Sequence, residues 1–495
     1  MRIKFEIIKP IIISCFLISW FDSNGQSIDD YFQKIRKNEA ELTAFISQMP
    51  KGGDLHNHYT GAVYGESYVK WLIDADYCLN PKTLETARPS LCGDPGFIKL
   101  SVLQSTMKSA DFEILKSKLV RLYSTKEWDQ VHSDAREEHF FATFGNFSNG
   151  SGLNFDKGLQ ELKNRAIAEN VSYIEMMFSN IRLQKHSPSV PVLDNGDTMK
   201  YYNAVLAQLE KTADKNQLMS MLQKLHSAVA NEMPFVAPYY NNFVDSMHNS
   251  FVGESPVFTM RYLAFITRIS DPLSTFLNIL AAFETVHSSA KKHLIGLNIV
   301  APEDNPVSMH DYWLHMQFFA YCHSVYPDVR YSMHAGELTE GVVQPEELTW
   351  HIRGAVYDAG AKRVGHGVDI AYEKNNYELL RYMSTNKIAV EINLLSNEFI
   401  LGVKDDRHPI LLYKHFNVPI VISTDDAGVS RTSLTEQYVL LAKRYDEVTY
   451  QDIKSYVYNS IKYSFIDDAP LKEKLTRDLD RRFEVFEKYI LSNKP

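Results

Sequence analysis

The sequence predicts an α/β chain folded as a TIM-type (β/α)8 barrel, with an N-terminal helical extension and an insertion after the first strand. Three observations point there. The 495 residues are 45% hydrophobic and 23% charged, enough to bury one large core. Short β-branched or aromatic runs alternate with longer amphipathic stretches, the pattern of βα units around a parallel sheet. The unusual polar residues fall at the ends of those runs, where barrels carry their chemistry.

At the start of the chain, Arg2, Lys4 and Lys9 precede an apolar run from Pro10 to Phe21 and then Ser23, Asn24 and Gly25. This is the pattern of a secretory signal peptide over residues 1–25, and it places the mature protein outside the cytoplasm, periplasmic or secreted. The run is shorter than the roughly 20 residues of a membrane span, and no later segment supplies one. Ile12, Ile13, Ser14 and Cys15 leave open a lipid-modified cysteine, although the apolar run continues past it to Phe21. Residues 26–50 form the extension: Tyr31, Phe32, Ile35, Leu42, Phe45 and Ile46 recur at helical intervals. The barrel then occupies residues 51–495, interrupted at 75–150 by an irregular and then helical insertion. In an exported chain Cys78 and Cys92 are the plausible disulfide, stapling a segment rich in proline and glycine; two free thiols in a loop are the alternative.

The eight strands are expected at Gly53–His58, Val171–Ser179, Val257–Thr267, Leu294–Val300, Arg330–His334, Arg363–His366, Ile388–Asn393 and Pro419–Thr424. Several are nearly continuous apolar runs, as strands buried on both faces should be. The formal charge of −9 is spread without a basic block, so nothing recommends nucleic acid as a partner.

Four of these strands end in chemistry-bearing residues. Residues two apart in a strand share a face, so His56 and His58 can grip one ion from the first strand. A lone His-x-His is weak evidence. With His334 and Asp425 at the ends of the fifth and eighth strands, it becomes a set of three imidazoles and a carboxylate. Such a set suits one zinc ion per chain with a position open to water. Glu337, three residues past His334, can reach what the metal activates and serve in proton transfer; a helix N-terminal glutamate is its structural reading. His366 sits between two glycines that would let it approach the same point, or is a buried hydrogen-bonded histidine. Asp425 and Asp426 point opposite ways if the strand continues, one toward the metal and one toward a substrate.

In this order, His-x-His at 56–58, His-Ala-Gly-Glu at 334–337, Gly-His-Gly at 365–367 and Thr-Asp-Asp at 424–426 resemble the adenosine deaminase family of the amidohydrolase superfamily. The leader, Met49-Pro50-Lys51-Gly52-Gly53 and the extra N-terminal region look closest to its secreted growth-factor-related branch. The resemblance implies zinc on His56, His58, His334 and Asp425, with Glu337 protonating purine N1. His366 would orient or deprotonate the attacking water, and Asp426 would bond N7. The implied reaction is hydrolytic deamination of adenosine and 2′-deoxyadenosine to inosine and 2′-deoxyinosine plus ammonia, on a small purine nucleoside, with a homodimer left open. Three positions depart from the family: Thr60 stands where an acidic residue usually meets the ribose 5′-hydroxyl, and Ala301 where a glycine usually faces N3. Strand seven ends Glu391-Ile392-Asn393-Leu394-Leu395-Ser396-Asn397 without the usual cysteine and proline. These put the substrate in question more than the reaction type. Gly296 to Val300 has no lysine to bridge two metals, which argues for one. Another hydrolase or deaminase of the superfamily, or a silent nucleoside-binding signalling protein, are the competing readings.

Overall fold

Eight parallel strands form the centre of the computed structural model, which describes residues 27–128, 136–183 and 196–494. They are β1 (Gly52–His58), β2 (Val171–Asn180), β3 (Thr259–Thr267), β4 (Leu294–Val300), β5 (Ser332–Ala335), β6 (Arg363–His366), β7 (Ala389–Ile392) and β8 (Ile420–Ile422). Two four-stranded halves, β1-β2-β3-β4 and β5-β6-β7-β8, each run in sequence order. Bridges Leu297↔Tyr331 and Asn57↔Asp425 join them on both sides, so the ring closes. At the second seam Asp425 N–H donates to His56 O at 2.8 Å and His58 N–H to Asp425 O at 3.3 Å. Asp54 backs that seam by accepting the Thr424 N–H (3.2 Å) and hydroxyl (2.6 Å).

All eight expected strands are present, β4 and β6 with the expected bounds and the others with shifted ends. β8 stops at Ile422 and not Thr424, because Asp425 turns into the left-handed region at φ +61. β3 begins at Thr259 and not Val257, which is exposed. The extension is two helices and not one continuous helix. Ile28–Ile35 is capped by the Ser27 hydroxyl and Glu39–Gln48 by the Asn38 side chain, which ends the first and restarts the second. Their apolar faces dock on the C-terminal helices, with Phe45 5.8 Å from Tyr450 and 5.0 Å from Phe486, ring centre to centre.

The insertion opens with a small antiparallel sheet that the sequence did not signal, Cys78–Leu79 paired with Thr86–Ala87 and Ile98–Lys99. A disulfide joins Cys78 to Cys92 across it, Cα atoms 5.4 Å apart. Helices Leu100–Thr106, Ser109–Leu122 and Arg136–Asn146 follow. A second excursion, helices Gly196–Thr212, Lys215–Val229 and Met233–Met247, lies between β2 and β3. Among the described residues no helix is long and apolar enough to cross a membrane. The leader expected over 1–25, with Cys15, lies outside the described residues.

Candidate metal centre

The C-terminal ends of β1 and β5 and the turn after β8 bring four ligand-type groups to one point. His56 Nε2 stands 3.1 Å from His334 Nε2 and 3.3 Å from His58 Nε2, which is 3.2 Å from His334 Nε2. Asp425 Oδ1 completes the set at 3.5 Å from His56 and 3.3 Å from His58. Nitrogen and oxygen ligands about 2.0–2.1 Å from a tetrahedral ion lie roughly 3.3 Å from one another, so this spacing fits a zinc-sized ion. The tautomers fit as well. His56 Nδ1 donates to Glu391 Oε2 at 2.7 Å and His334 Nδ1 to Asn298 Oδ1 at 3.0 Å, so in each ring Nε2 is the nitrogen with a lone pair. Lone pairs facing one another at such distances call for a cation. Ser396 Oγ donates to Asp425 Oδ2 at 2.7 Å, which turns Oδ1 to the cluster.

Glu391 is itself anchored. Its burial alone would raise the carboxyl, but Arg363 and His56 outweigh that and hold it at about 2. Arg363, fully buried, spans Glu391 and Glu175 and lies 3.6 Å over the Phe465 ring.

Above the cluster is a cavity of 370 Å³ lined by His58, His334, Glu337, His366, Asp425 and Asp426 on its floor. Thr267, Ile269, Val300, Ala301, Pro302 and Ile400 form its walls, and Phe140, Phe141 and Phe144 of helix Arg136–Asn146 its roof. Glu337 follows β5 on a loop with no helix, so it caps nothing; the backbone N–H groups of Gly336 and Glu337 donate to Glu303 at 3.1 and 2.9 Å. Burial and then Asp425 push the Glu337 carboxyl well up, so it carries a proton it can give. Asp426 is pushed well up by burial and by Asp425. His366 has φ +67 and is driven down to about 3 by burial, hence neutral.

The strand alternation expected at Asp425 and Asp426 does not apply, since the strand has ended; the left-handed turn delivers both side chains to the cavity. Gly61 leaves room for one of them, because a Cβ there would lie 1.6 Å from Asp426 Oδ1. Ala301 lines the cavity at φ +87. Thr60 does not. The chain after β1 curls into the one-turn helix Tyr59–Ala62, where the Thr60 carbonyl accepts the Tyr68 hydroxyl at 2.7 Å. Sequence reasoning missed Glu175, Arg363 and Asn298 and treated Glu391 only as a departure. Charged residues inside buried apolar strands were the available signal.

A family model described as adenosine deaminase matches residues 241–482. Over those residues the chain is similar to the adenosine deaminase family. An adenosine deaminase of Clostridium perfringens is 33% identical over 147 residues, 30% of this chain and 40% of that enzyme. An aminodeoxyfutalosine deaminase of Streptomyces coelicolor is 30% identical over 150 residues, 30% of this chain and 35% of its own. The chain thus aligns with less than half the length of these curated relatives. Solved structures cover far more of it at lower identity. A zinc-bound amidohydrolase of Burkholderia ambifaria covers 91% of this chain and 95% of its own (TM-score 0.51, 16% identity). An Arabidopsis N6-mAMP deaminase covers 88% and 99% (TM-score 0.54, 17% identity). The barrel fold is therefore one that this chain shares with these solved structures.

Proposed function

We propose that the protein is an exported, zinc-dependent hydrolytic deaminase of purine nucleosides, converting adenosine and 2′-deoxyadenosine to inosine and 2′-deoxyinosine plus ammonia. One observation carries the reading: four converging ligand atoms share a cavity with Glu337, His366 and a second carboxyl, Asp426. His56, His58, His334 and Asp425 would hold a single zinc, which supplies a nucleophile at neutral pH by lowering the pKa of water toward about 7. Glu337 is placed as the donor of a proton to purine N1, so that negative charge does not build on the ring during attack at C6. His366 orients the attacking water, Asp426 faces N7, and the Ala301 backbone borders the N3 edge.

Away from the ligand cluster the cavity lining is apolar but for Thr267. Among the described residues, no lysine or arginine lines the cavity, and Thr60 is absent from it. An uncharged or deoxy sugar fits such walls, whereas a phosphate would be buried without a cationic partner. A nucleotide substrate is the second reading, favoured by the fold shared with Arabidopsis ADAL, solved with IMP and with GMP. The test is metal analysis with ultraviolet deamination assays on adenosine, 2′-deoxyadenosine, AMP and N6-methyl-AMP. We expect one zinc per chain, turnover abolished by chelation, and kcat/KM for adenosine at least about a hundredfold above AMP, since an unpaired buried charge costs several kcal/mol. Faster turnover of either nucleotide would reverse the assignment, and two metals per chain would overturn the single site.

A further inference from the structure

His408 is buried and lines no part of the cavity, yet a chain of hydrogen bonds leads from it to His366. Its Nδ1 receives the Ile410 backbone N–H at 3.2 Å. An amide N–H only donates, so that nitrogen carries a lone pair. Burial, and then Arg444, push the His408 imidazole down to about 3, so its single ring proton sits on Nε2. Nε2 is 3.2 Å from Asn397 Oδ1. That contact fixes the amide, carbonyl toward His408 and –NH2 toward His366, whose Nδ1 is 2.9 Å from Asn397 Nδ2. Asn393 Nδ2 stands 3.4 Å from the same nitrogen, while Glu337 Oε1 at 3.5 Å is beyond hydrogen-bond range. His366 Nδ1 is thereby an acceptor, and with one ring proton the imidazole carries it on Nε2. This is the atom 3.9 Å from Asp425 Oδ2, on the side of the ligand cluster.

We propose that His408 and Asn397 are positioning residues that hold His366 as its Nε2–H tautomer, so that it meets the attacking water as a hydrogen-bond donor. The Ile410 N–H, which cannot reverse its polarity, sets the direction of the whole chain. The inference rests on the deaminase reading for its catalytic meaning, and on the hydrogen bonds alone for the tautomer.

Two measurements test it on the zinc-loaded, full chain. In the first, ¹⁵N-histidine NMR of the wild type, with His366 assigned from a His366→Gln spectrum, should show a protonated Nε2 and an unprotonated Nδ1. In the second, Asn397→Asp replaces a donor by a carboxylate and should move the proton to Nδ1. A wrong tautomer costs about 10⁴ in kcat in the serine-protease triad, so a loss of about 10² to 10⁴ is expected here, with zinc content and KM little changed. His408→Leu should lose activity in the same way. His408→Gln keeps an N–H in that place and should recover at least about tenfold over His408→Leu. An Nδ1–H His366 in the wild-type spectrum overturns the relay even if Asn397→Asp fails to fold, and so does an Asn397→Asp enzyme of undiminished kcat. An Nε2–H His366 in a protein that deaminates neither nucleoside nor nucleotide upholds the relay and sinks the deaminase reading instead.

Discussion

Arg363→Met removes the one cation that holds two buried carboxylates together. Arg363 donates to Glu391, to Glu175 Oε2 at 2.6 Å and to the Tyr463 carbonyl at 2.9 Å, and both acids are fully buried. Breaking a buried pair from one side typically costs about 3–5 kcal/mol, because the charge left behind loses its counter-charge. Here, among the described residues, Glu391 keeps only His56 and Ser332, and Glu175 the Tyr173 hydroxyl and the Phe465 N–H. A second route bounds the share of one carboxyl. Glu391 is held from 4.5 down to about 2 by Arg363 and His56 together, and at about 1.4 kcal/mol per unit that corresponds to about 3 kcal/mol of folding free energy at most. The sign follows from the depressed carboxyl: its stabilisation is fully present above about 4.5 and lost as pH falls toward 2. Urea unfolding should therefore show a deficit of about 3 kcal/mol or more for Arg363→Met at pH 7, shrinking below about pH 4. Because Glu391 also orients His56, zinc affinity should drop about 10- to 100-fold. Arg363→Lys keeps the charge but not the fork and should fall between. A variant within about 1 kcal/mol of wild type at pH 7, with unchanged zinc affinity, would refute the idea that this charge ladder supports the metal ligands.

Two further outcomes follow from the site and the insertion. Glu337→Gln should keep zinc and fold yet lose about 10² to 10⁴ in turnover, the usual contribution of general acid–base catalysis; loss of the metal instead would make Glu337 a ligand. Cys92→Ser opens a loop of sequence separation 14 and should lower stability by about 2–3 kcal/mol, with the wild-type non-reduced digest showing the Cys78–Cys92 peptide by mass spectrometry. Free thiols at both positions in exported protein would remove the staple.

The ligand set was legible because its members sit at strand ends, and strand ends can be read from apolar runs. His56, His58, His334 and Asp425 needed only the assumption of a barrel to be brought together. Their supports were not legible, since Glu175, Arg363 and Glu391 meet only through the order of β2, β6 and β7 around the ring. Local pattern carries no such information. Thr60 was placed at the sugar by resemblance alone; after His58 the backbone turns into Tyr59–Ala62, and Thr60 does not line the cavity. Phe140, Phe141 and Phe144 were hidden for a different reason: an aromatic face on an amphipathic helix looks the same over a substrate cavity as over a core. The small sheet around the disulfide has two-residue strands, too short to leave a periodic trace.

The seam between β1 and β8 has a bearing on how the chain is tied together. Asp54 and Thr424, hydrogen-bonded across it, are 370 positions apart, and His56, His58 and Asp425 lie on the same junction. An ion gripped by those three would act as a clasp on a loop that contains nearly the whole barrel. Closing so long a loop carries a large entropic cost, and a bond that persists in the folded state and not in the unfolded one offsets it at a single point. Stripping such an ion would then weaken the ring first where its last strand meets its first, so that the barrel opens from its chain ends inward while β2, β3 and β4, joined by longer ladders, stay paired.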